Sequence, residues 1–81
     1  MKILEKEIKR VFSKILKEKS EKINDKLSMD TNSKWDSLNH LKLIIALEGK
    51  FKISFKAKDV PKITSFKLIK SSIKKMGYKV L

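Results

Sequence analysis

Residues 34–51 constrain the fold of this chain more than any other stretch. They begin in a polar loop, pass through the pair Asp36-Ser37 and continue into a segment dense in aliphatic side chains. Asp and Ser are both favoured N-cap residues, because their side-chain oxygens accept hydrogen bonds from the free amides of the first helical turn. The pattern therefore predicts a helix capped by Asp36 or Ser37, with the Ser37 hydroxyl at its N-terminal end.

The aliphatic residues of this central helix fall on two neighbouring arcs when each is placed at its helical angle. The first arc contains Leu43, Ile44, Leu47 and Phe51, and the second contains Leu38, Leu41 and Ile45. The first arc predicts a stripe buried in the core. For the second arc two interpretations stay open. Either neighbouring helices cover it, or it stays exposed and docks partner proteins.

The length and composition exclude several classes of protein. With 81 residues we expect a single domain, residues 1–81, with one modest core. The chain has no cysteine and one histidine, which excludes disulfides, thiol chemistry by its own side chains and histidine-cluster metal sites. The longest apolar run, residues 43–47, is too short to span a bilayer, and charges interrupt the first residues where a signal peptide needs apolar ones. We therefore predict a cytoplasmic protein without a membrane span.

The chain is strongly basic, with a formal net charge of +12 and a pI of about 10.0. Such a charge suggests nucleic acid or an acidic membrane surface as a partner. However, the cations are twenty lysines and a single arginine, Arg10, although arginine is the usual residue for bidentate phosphate and base recognition. The lysines are scattered from Lys2 to Lys79. We interpret the charge as compositional drift and keep a small basic nucleic-acid-binding protein as the alternative function.

The chain before the central helix predicts one helix and one long loop. Residues 3–19 carry apolar side chains at three- and four-residue steps, which favours a bundle helix over a membrane-surface helix of similar pattern. Residues 20–35 show no sustained period and contain several turn-forming residues. A loop this long needs anchors or a function. The candidate anchors are Ile23, Leu27, Met29 and Trp35.

The chain after the central helix predicts an extended connection, a short turn and a last helix. Residues 52–55 alternate polar and apolar, so we expect an extended segment with Ile53 and Phe55 turned inward. Residues 56–60 are predicted to form one helical turn, which Pro61 limits.

Thr64 or Ser65 is expected to cap the last helix, residues 65–76, which Gly77 ends. Residues 78–81 are a tail with no order assigned. Together, these elements predict a small all-α bundle of three main helices plus one short helix, with a long loop between helices one and two.

Several motifs of the chain occur together and in register. Trp35-Asp36-Ser37-Leu38 opens a helix that ends in residues 46–51, Ala-Leu-Glu-Gly-Lys-Phe, and Ile53-Ser54-Phe55 follows. Residues 60–66, Val-Pro-Lys-Ile-Thr-Ser-Phe, complete the pattern. It resembles the acyl carrier protein family, the phosphopantetheine-attachment domains, and looks most like the small stand-alone carriers. The resemblance covers nearly the whole chain.

The resemblance implies a covalently modified carrier rather than an enzyme. In the family, the serine that opens the second helix receives 4′-phosphopantetheine from coenzyme A through a magnesium-dependent transferase. Ser37 matches that serine, and Asp36 matches the acidic residue that helps the transferase. The arm's thiol then carries an acyl or aminoacyl group as a thioester. For Ser37 the competing interpretation is a plain N-cap.

The resemblance also implies where partner enzymes dock. Leu38, Leu41 and Ile45 match positions that face partners in the family. Lys42 stands where acidic residues are common, as do Gly49 and Lys50. Because like charges oppose docking, we expect a dedicated, monomeric carrier whose partners present acidic or apolar faces. An unmodified interaction subunit with the same fold is a further alternative.

His40 allows two interpretations. With Asp36 and Ser37 it would supply the residue types of a Ser-His-Asp catalytic unit. Such catalysis also needs an oxyanion site and a substrate pocket, for which a chain this small has little room. We favour a packing role for His40 near the mouth of the bundle, and a loop-anchoring role for Trp35.

Overall fold

A computed structural model describes residues 2–81 of the chain and shows a small helical bundle closed by a short parallel strand pair. Its elements are, in order, β1 (Lys2–Ile3), α1 (Glu5–Leu16), a 3-10 turn (Ser20–Lys22), α2 (Ser37–Phe51), a second 3-10 turn (Val60–Lys62), α3 (Phe66–Lys75) and β2 (Lys79–Val80). The three predicted main helices and the long first loop are confirmed. The strand pair was not predicted.

Helix α1 is shorter at both ends than the predicted residues 3–19. Ile3 belongs to β1, and the helix ends because Lys17 adopts a left-handed backbone conformation with φ of 55°. Its amide then donates to the Ser13 carbonyl. Glycine is the usual residue at such a position, so the sequence gives no signal that the helix stops here.

Helices α1 and α2 run antiparallel, and two ion pairs mark their ends. Glu7 in the first turns of α1 lies 3.1 Å from the Lys50 ammonium in the last turn of α2. Glu18, just past the end of α1, lies 3.7 Å from Lys34, just before the start of α2. Ser37 therefore lies at the end of the bundle where α1 ends, away from the strand pair.

Aromatic side chains fill the centre of the core. The Phe12 ring meets the Trp35 ring edge-on at a centroid distance of 5.3 Å and meets the Phe66 ring in the same way at 5.0 Å. Phe12 and Phe66 belong to α1 and α3, and Trp35 to the long loop. The loop is thus anchored in the core, and Ile23, Leu27 and Trp35 are all buried while Met29 is half-buried.

The segment between α2 and α3 confirms one prediction and corrects another. Ile53 and Phe55 are buried on an extended connection, as predicted. The short helical turn lies at Val60–Lys62 rather than at residues 56–60, and it contains Pro61 rather than ending before it. Proline is tolerated in the first turn of a helix, because its missing N–H has no intrahelical partner there.

The last residues of the chain are ordered. Ser65 caps α3, which ends at Lys75, and Gly77 follows with φ of 102°. The chain then forms β2, which pairs in parallel with β1: the Leu81 amide donates to the Ile3 carbonyl at 2.9 Å and the Glu5 amide to the Leu81 carbonyl at 2.7 Å. A purely helical prediction misses this pair because strands of two residues are too short to show alternation.

Among residues 2–81, no helix has both the length and the apolar character that crossing a membrane requires.

Candidate functional site

The structure shows which of Asp36 and Ser37 caps α2, a question that the sequence left open. Asp36 is the N-cap of α2, and its carboxylate accepts from the Asn39 amide at 2.8 Å. The Asn39 side chain in turn donates to the Lys34 carbonyl at 2.7 Å, which fixes the approach of the loop. Ser37 is the first helical residue and is exposed. The competing role for Ser37, that of N-cap, therefore belongs to Asp36.

The N-terminus of α2 suits an attached anion. Its first amides point outward along the helix axis, and a helix of fifteen residues places a partial positive charge at this end. The first turn of α2 contains no acidic residue, and the one carboxylate beside Ser37, that of Asp36, accepts from the Asn39 amide as the N-cap. An exposed hydroxyl in this position is accessible to a second protein and lies in a field that stabilises a phosphodiester.

An open, mostly apolar cleft of about 430 Å³ lies beside Ser37. One wall comes from α2, the other from residues 57–64, and the long loop contributes one side chain. The lining residues are Met29, Ser37, His40, Leu41, Ala57, Val60, Pro61 and Thr64. Its volume is within the range of about 300–1,000 Å³ that is common for small-molecule sites.

His40 is buried at the base of this site, 5% exposed, and both of its ring nitrogens are engaged. The Trp35 indole Nε1–H donates to His40 Nδ1 at 3.0 Å. Because an indole N–H can only donate, Nδ1 carries no proton, and His40 Nε2–H donates to the Val60 carbonyl at 2.7 Å. The predicted packing role is therefore confirmed, and the imidazole is not directed at Ser37 as the base of a catalytic unit. Trp35 is itself buried, as expected of a loop anchor.

The second apolar arc of α2 is exposed, which decides between the two interpretations of its coverage. Leu38, Leu41 and Ile45 are 62%, 53% and 67% exposed, and Lys42 beside them is exposed as well. On the opposite face Leu43, Ile44 and Leu47 are buried. The helix thus presents an apolar strip that begins next to Ser37.

The acidic residue of α2 does not contribute to that exposed surface. Glu48 directs its carboxylate at the backbone, where it accepts from the Phe55 amide at 2.9 Å. Four further carboxylates of the chain have basic partners: Glu5 with Lys9 and Lys70, Glu7 with Lys50, Glu18 with Lys34, and Asp25 with Lys70. The unpaired charge that remains on the surface of α2 is therefore the positive charge of Lys42.

The far wall of the cleft was not predicted as part of the site. Ala57, Val60 and Pro61 line it, and the Val60 main-chain carbonyl binds His40. A main-chain acceptor leaves no signal in the sequence. Pro61 was interpreted as a limit to a helical turn, and only its observed place within the second 3-10 turn brings it to the cleft.

Comparison of the sequence with known proteins identifies a relative of this chain. No family model matches the chain. The chain is 39% identical over 62 residues to an acyl carrier protein of Buchnera aphidicola subsp. Schizaphis graminum (strain Sg), an alignment that covers 76% of this chain and 78% of that relative. At this identity and coverage the relationship extends over most of the bundle, and the chain belongs to the acyl carrier protein family.

Proposed function

We propose that Ser37 carries a 4′-phosphopantetheine arm and that the protein holds an acyl or aminoacyl group on it as a thioester. One observation carries the proposal: the exposed Ser37 hydroxyl opens α2 while Asp36, not Ser37, caps the helix. Ser37 is thus free of a capping role at a position that favours an attached phosphate. Membership of the family supports a carrier role.

The attachment step transfers a phosphoryl-linked group to the Ser37 oxygen. A base on the transferase takes the hydroxyl proton, and Ser37 Oγ bonds to the phosphorus that bears the pantetheine. The pyrophosphate P–O bond of coenzyme A breaks, and 3′,5′-ADP leaves with the electron pair. Asp36, exposed next to Ser37, is the proposed contact for the transferase and its magnesium.

The residues around Ser37 fit such an arm. The arm supplies a terminal thiol, which this chain lacks because it has no cysteine. The N-terminal amides of α2 face the phosphate position. The apolar side chains of the cleft, with Met29, Leu41 and Val60 among them, offer a surface on which an apolar cargo is shielded from water.

The first test is intact mass after incubation with coenzyme A, magnesium and a promiscuous phosphopantetheinyl transferase. We expect the wild type to gain one phosphopantetheine and Ser37→Ala to gain none. Ser33→Ala is the matched control, because it removes an exposed serine of the long loop just before α2 and is expected to be modified normally. Since Asp36 caps α2, Ser37→Ala is expected to unfold at the same urea concentration as the wild type.

No gain of mass with several transferases would contradict attachment. It would favour the unmodified interaction subunit. Affinity for DNA or RNA that falls steeply with salt would instead favour the nucleic-acid alternative.

We also propose that partners dock on Leu38, Leu41, Lys42 and Ile45 through an apolar groove with an acidic rim. The strip is exposed, Lys42 is unpaired among the described residues, and Glu48 is turned to the backbone. Such a surface is complementary to acidic partners and opposes basic ones. This surface supports a specialised biosynthetic pathway over ordinary fatty-acid synthesis. We further propose that the carrier is monomeric, cytoplasmic and of one domain.

Kinetics with the malonyl transferase of ordinary fatty-acid synthesis test the docking proposal. We expect poor use of the modified wild type and improved use of the variant Lys42→Glu. Lys79→Glu, an exposed position on β2, is the control for net charge and is expected to change nothing. Normal use of the wild type by this enzyme would contradict the proposal.

A further inference from the structure

The two walls of the cleft are joined by a bridge of hydrogen bonds. The bridge consists of the Trp35 indole N–H, the His40 imidazole and the Val60 carbonyl, and we call it the His40 bridge. The first bond is 3.0 Å long and buried, and the second is 2.7 Å long. It runs from the aromatic core, where Trp35 meets Phe12, to the second 3-10 turn.

The direction of donation is fixed in both hydrogen bonds of the His40 bridge. Trp35 is nearly fully buried and presents its only side-chain donor to His40 Nδ1, which forces the imidazole proton onto Nε2. That proton then points at Val60. Within residues 2–81, His40 is the side chain from the first two turns of α2 that hydrogen-bonds to residues 57–64. The imidazole is therefore the hydrogen-bonded link between the start of α2 and this wall, in addition to the core packing of Val60 and Ile63.

The rest of that wall is held at its ends. The Met29 amide donates to the Thr64 carbonyl at 3.0 Å, and the Phe55 amide donates to Glu48 at 2.9 Å. Between these two points residues 57–59 form a turn in which Ala57 and Lys58 are exposed and Asp59 is half-buried, and Val60 and Pro61 border the cleft. A segment fixed at both ends moves most in its middle, which is where His40 binds it.

We propose that His40 is a positioning residue that sets how far the cleft opens, and thereby how well the cargo on the arm is shielded. The second part rests on the proposed function, since it requires an arm on Ser37. With the bridge formed, Val60 and Pro61 stay close to Leu41 and cover an apolar cargo. With the bridge broken, residues 57–64 move away from α2 and water reaches the thioester.

The opening of the cleft is tested on the unmodified protein by amide hydrogen exchange. His40→Leu keeps the bulk of the side chain and removes both the Nδ1 acceptor and the Nε2–H donor. We expect the Lys62 and Ile63 amides to exchange about tenfold faster, because the Val60 carbonyl loses its hydrogen bond to the imidazole. His40→Gln places an amide N–H near the former Nε2 and is expected to restore exchange to within about twofold of the wild type. Core amides of α1 serve as the reference for global unfolding.

The shielding of the cargo is tested on the modified protein. An octanoyl form and an acetyl form are prepared from the corresponding acyl coenzyme A with a promiscuous transferase, and their cleavage by hydroxylamine is followed by mass. We expect His40→Leu to speed cleavage of the octanoyl form several-fold, His40→Gln to behave as the wild type, and the acetyl form to respond little in either variant. A residue that only stabilises the fold would not distinguish the two cargoes.

Three results would overturn the inference. They are unchanged Lys62 and Ile63 exchange in His40→Leu, no rescue by His40→Gln, or equal cleavage of both cargoes in all variants. If His40→Leu does not fold, the imidazole ¹⁵N shifts of the wild type decide, because a proton on Nδ1 refutes the bridge. If no transferase modifies Ser37, the proposed function fails while the exchange experiment still tests the bridge.

Discussion

At Asp36, one side chain has two properties that mutation can separate. Its carboxylate oxygen accepts from the Asn39 amide and so caps α2, and its negative charge lies exposed beside Ser37. Asparagine is as good an N-cap as aspartate but carries no charge. The two proposed roles, stability and recognition by the transferase, therefore respond differently to substitution.

We predict that Asp36→Ala lowers the free energy of unfolding by about 1 kcal/mol, since it removes the cap. Asp36→Asn is expected to stay within about 0.5 kcal/mol of the wild type and yet to be modified at Ser37 much more slowly. Urea unfolding measures the first quantity and the time course of mass gain the second. If Asp36→Asn is modified at the wild-type rate, the charge of Asp36 has no part in recognition.

The two glycines of the chain occupy different backbone conformations, one inside a helix and one just after a helix. Gly49 lies within α2, is exposed, and has nothing within 4 Å of the place where a Cβ would be added. Gly77 follows α3 and is equally open, but its φ of 102° is one that side chains rarely adopt. An added methyl group therefore meets no neighbouring atom at either position. The helical backbone at Gly49 favours alanine over glycine, whereas the positive φ at Gly77 favours glycine.

We predict that Gly49→Ala raises the free energy of unfolding by about 1 kcal/mol, because alanine favours a helix interior over glycine by that amount. Gly77→Ala is expected to lower it by about 1 kcal/mol or more, because of strain at positive φ. Urea midpoints of the two variants and the wild type give the comparison. Equal signs for the two variants would mean that the end of α3 is not formed as described.

Over the whole molecule, ion pairs join elements that are distant in sequence, and they make stability depend on acid. A hydrogen bond from Lys50 lowers the pKa of Glu7 below its usual 4.5, and one from Asn32 lowers the pKa of Glu18 from the same value. A hydrogen bond from Lys70 lowers the pKa of Asp25 below its usual 3.8. These contacts connect α1 to α2, the two ends of the long loop to each other, and the long loop to α3.

A group whose pKa is lower in the folded state stabilises the fold above its unfolded pKa and loses that contribution as the pH falls through the folded value. We therefore predict a urea midpoint that is steady from pH 7 to about pH 5 and falls below about pH 4. Glu18→Gln retains an acceptor for Asn32 without a titrating group, so its midpoint is expected to fall less. A midpoint that rises in acid would contradict the assignment of these three carboxylates.

The sequence by itself determined the helices and the position of the candidate site. Local chemistry carries this information: the three- and four-residue spacing of apolar side chains gives the buried faces, and Asp36 and Ser65 cap the helices they precede. The identity of the candidate serine also followed from sequence, because Asp36-Ser37-Leu38 opens a helix in register with the motifs after it. Periodicity likewise separated the two arcs of α2.

The tertiary structure decided those features that depend on contacts between residues distant in sequence. Whether Leu38, Leu41 and Ile45 are covered depends on which helices pack against α2, and the structure leaves them exposed. The left-handed ends at Lys17 and Lys52 carry no glycine signal, and the pairing of Lys2–Ile3 with Lys79–Val80 joins residues from opposite ends of the chain. The link between His40 and Val60 also required the fold, because a main-chain carbonyl looks the same at every position until packing brings one of them to an imidazole.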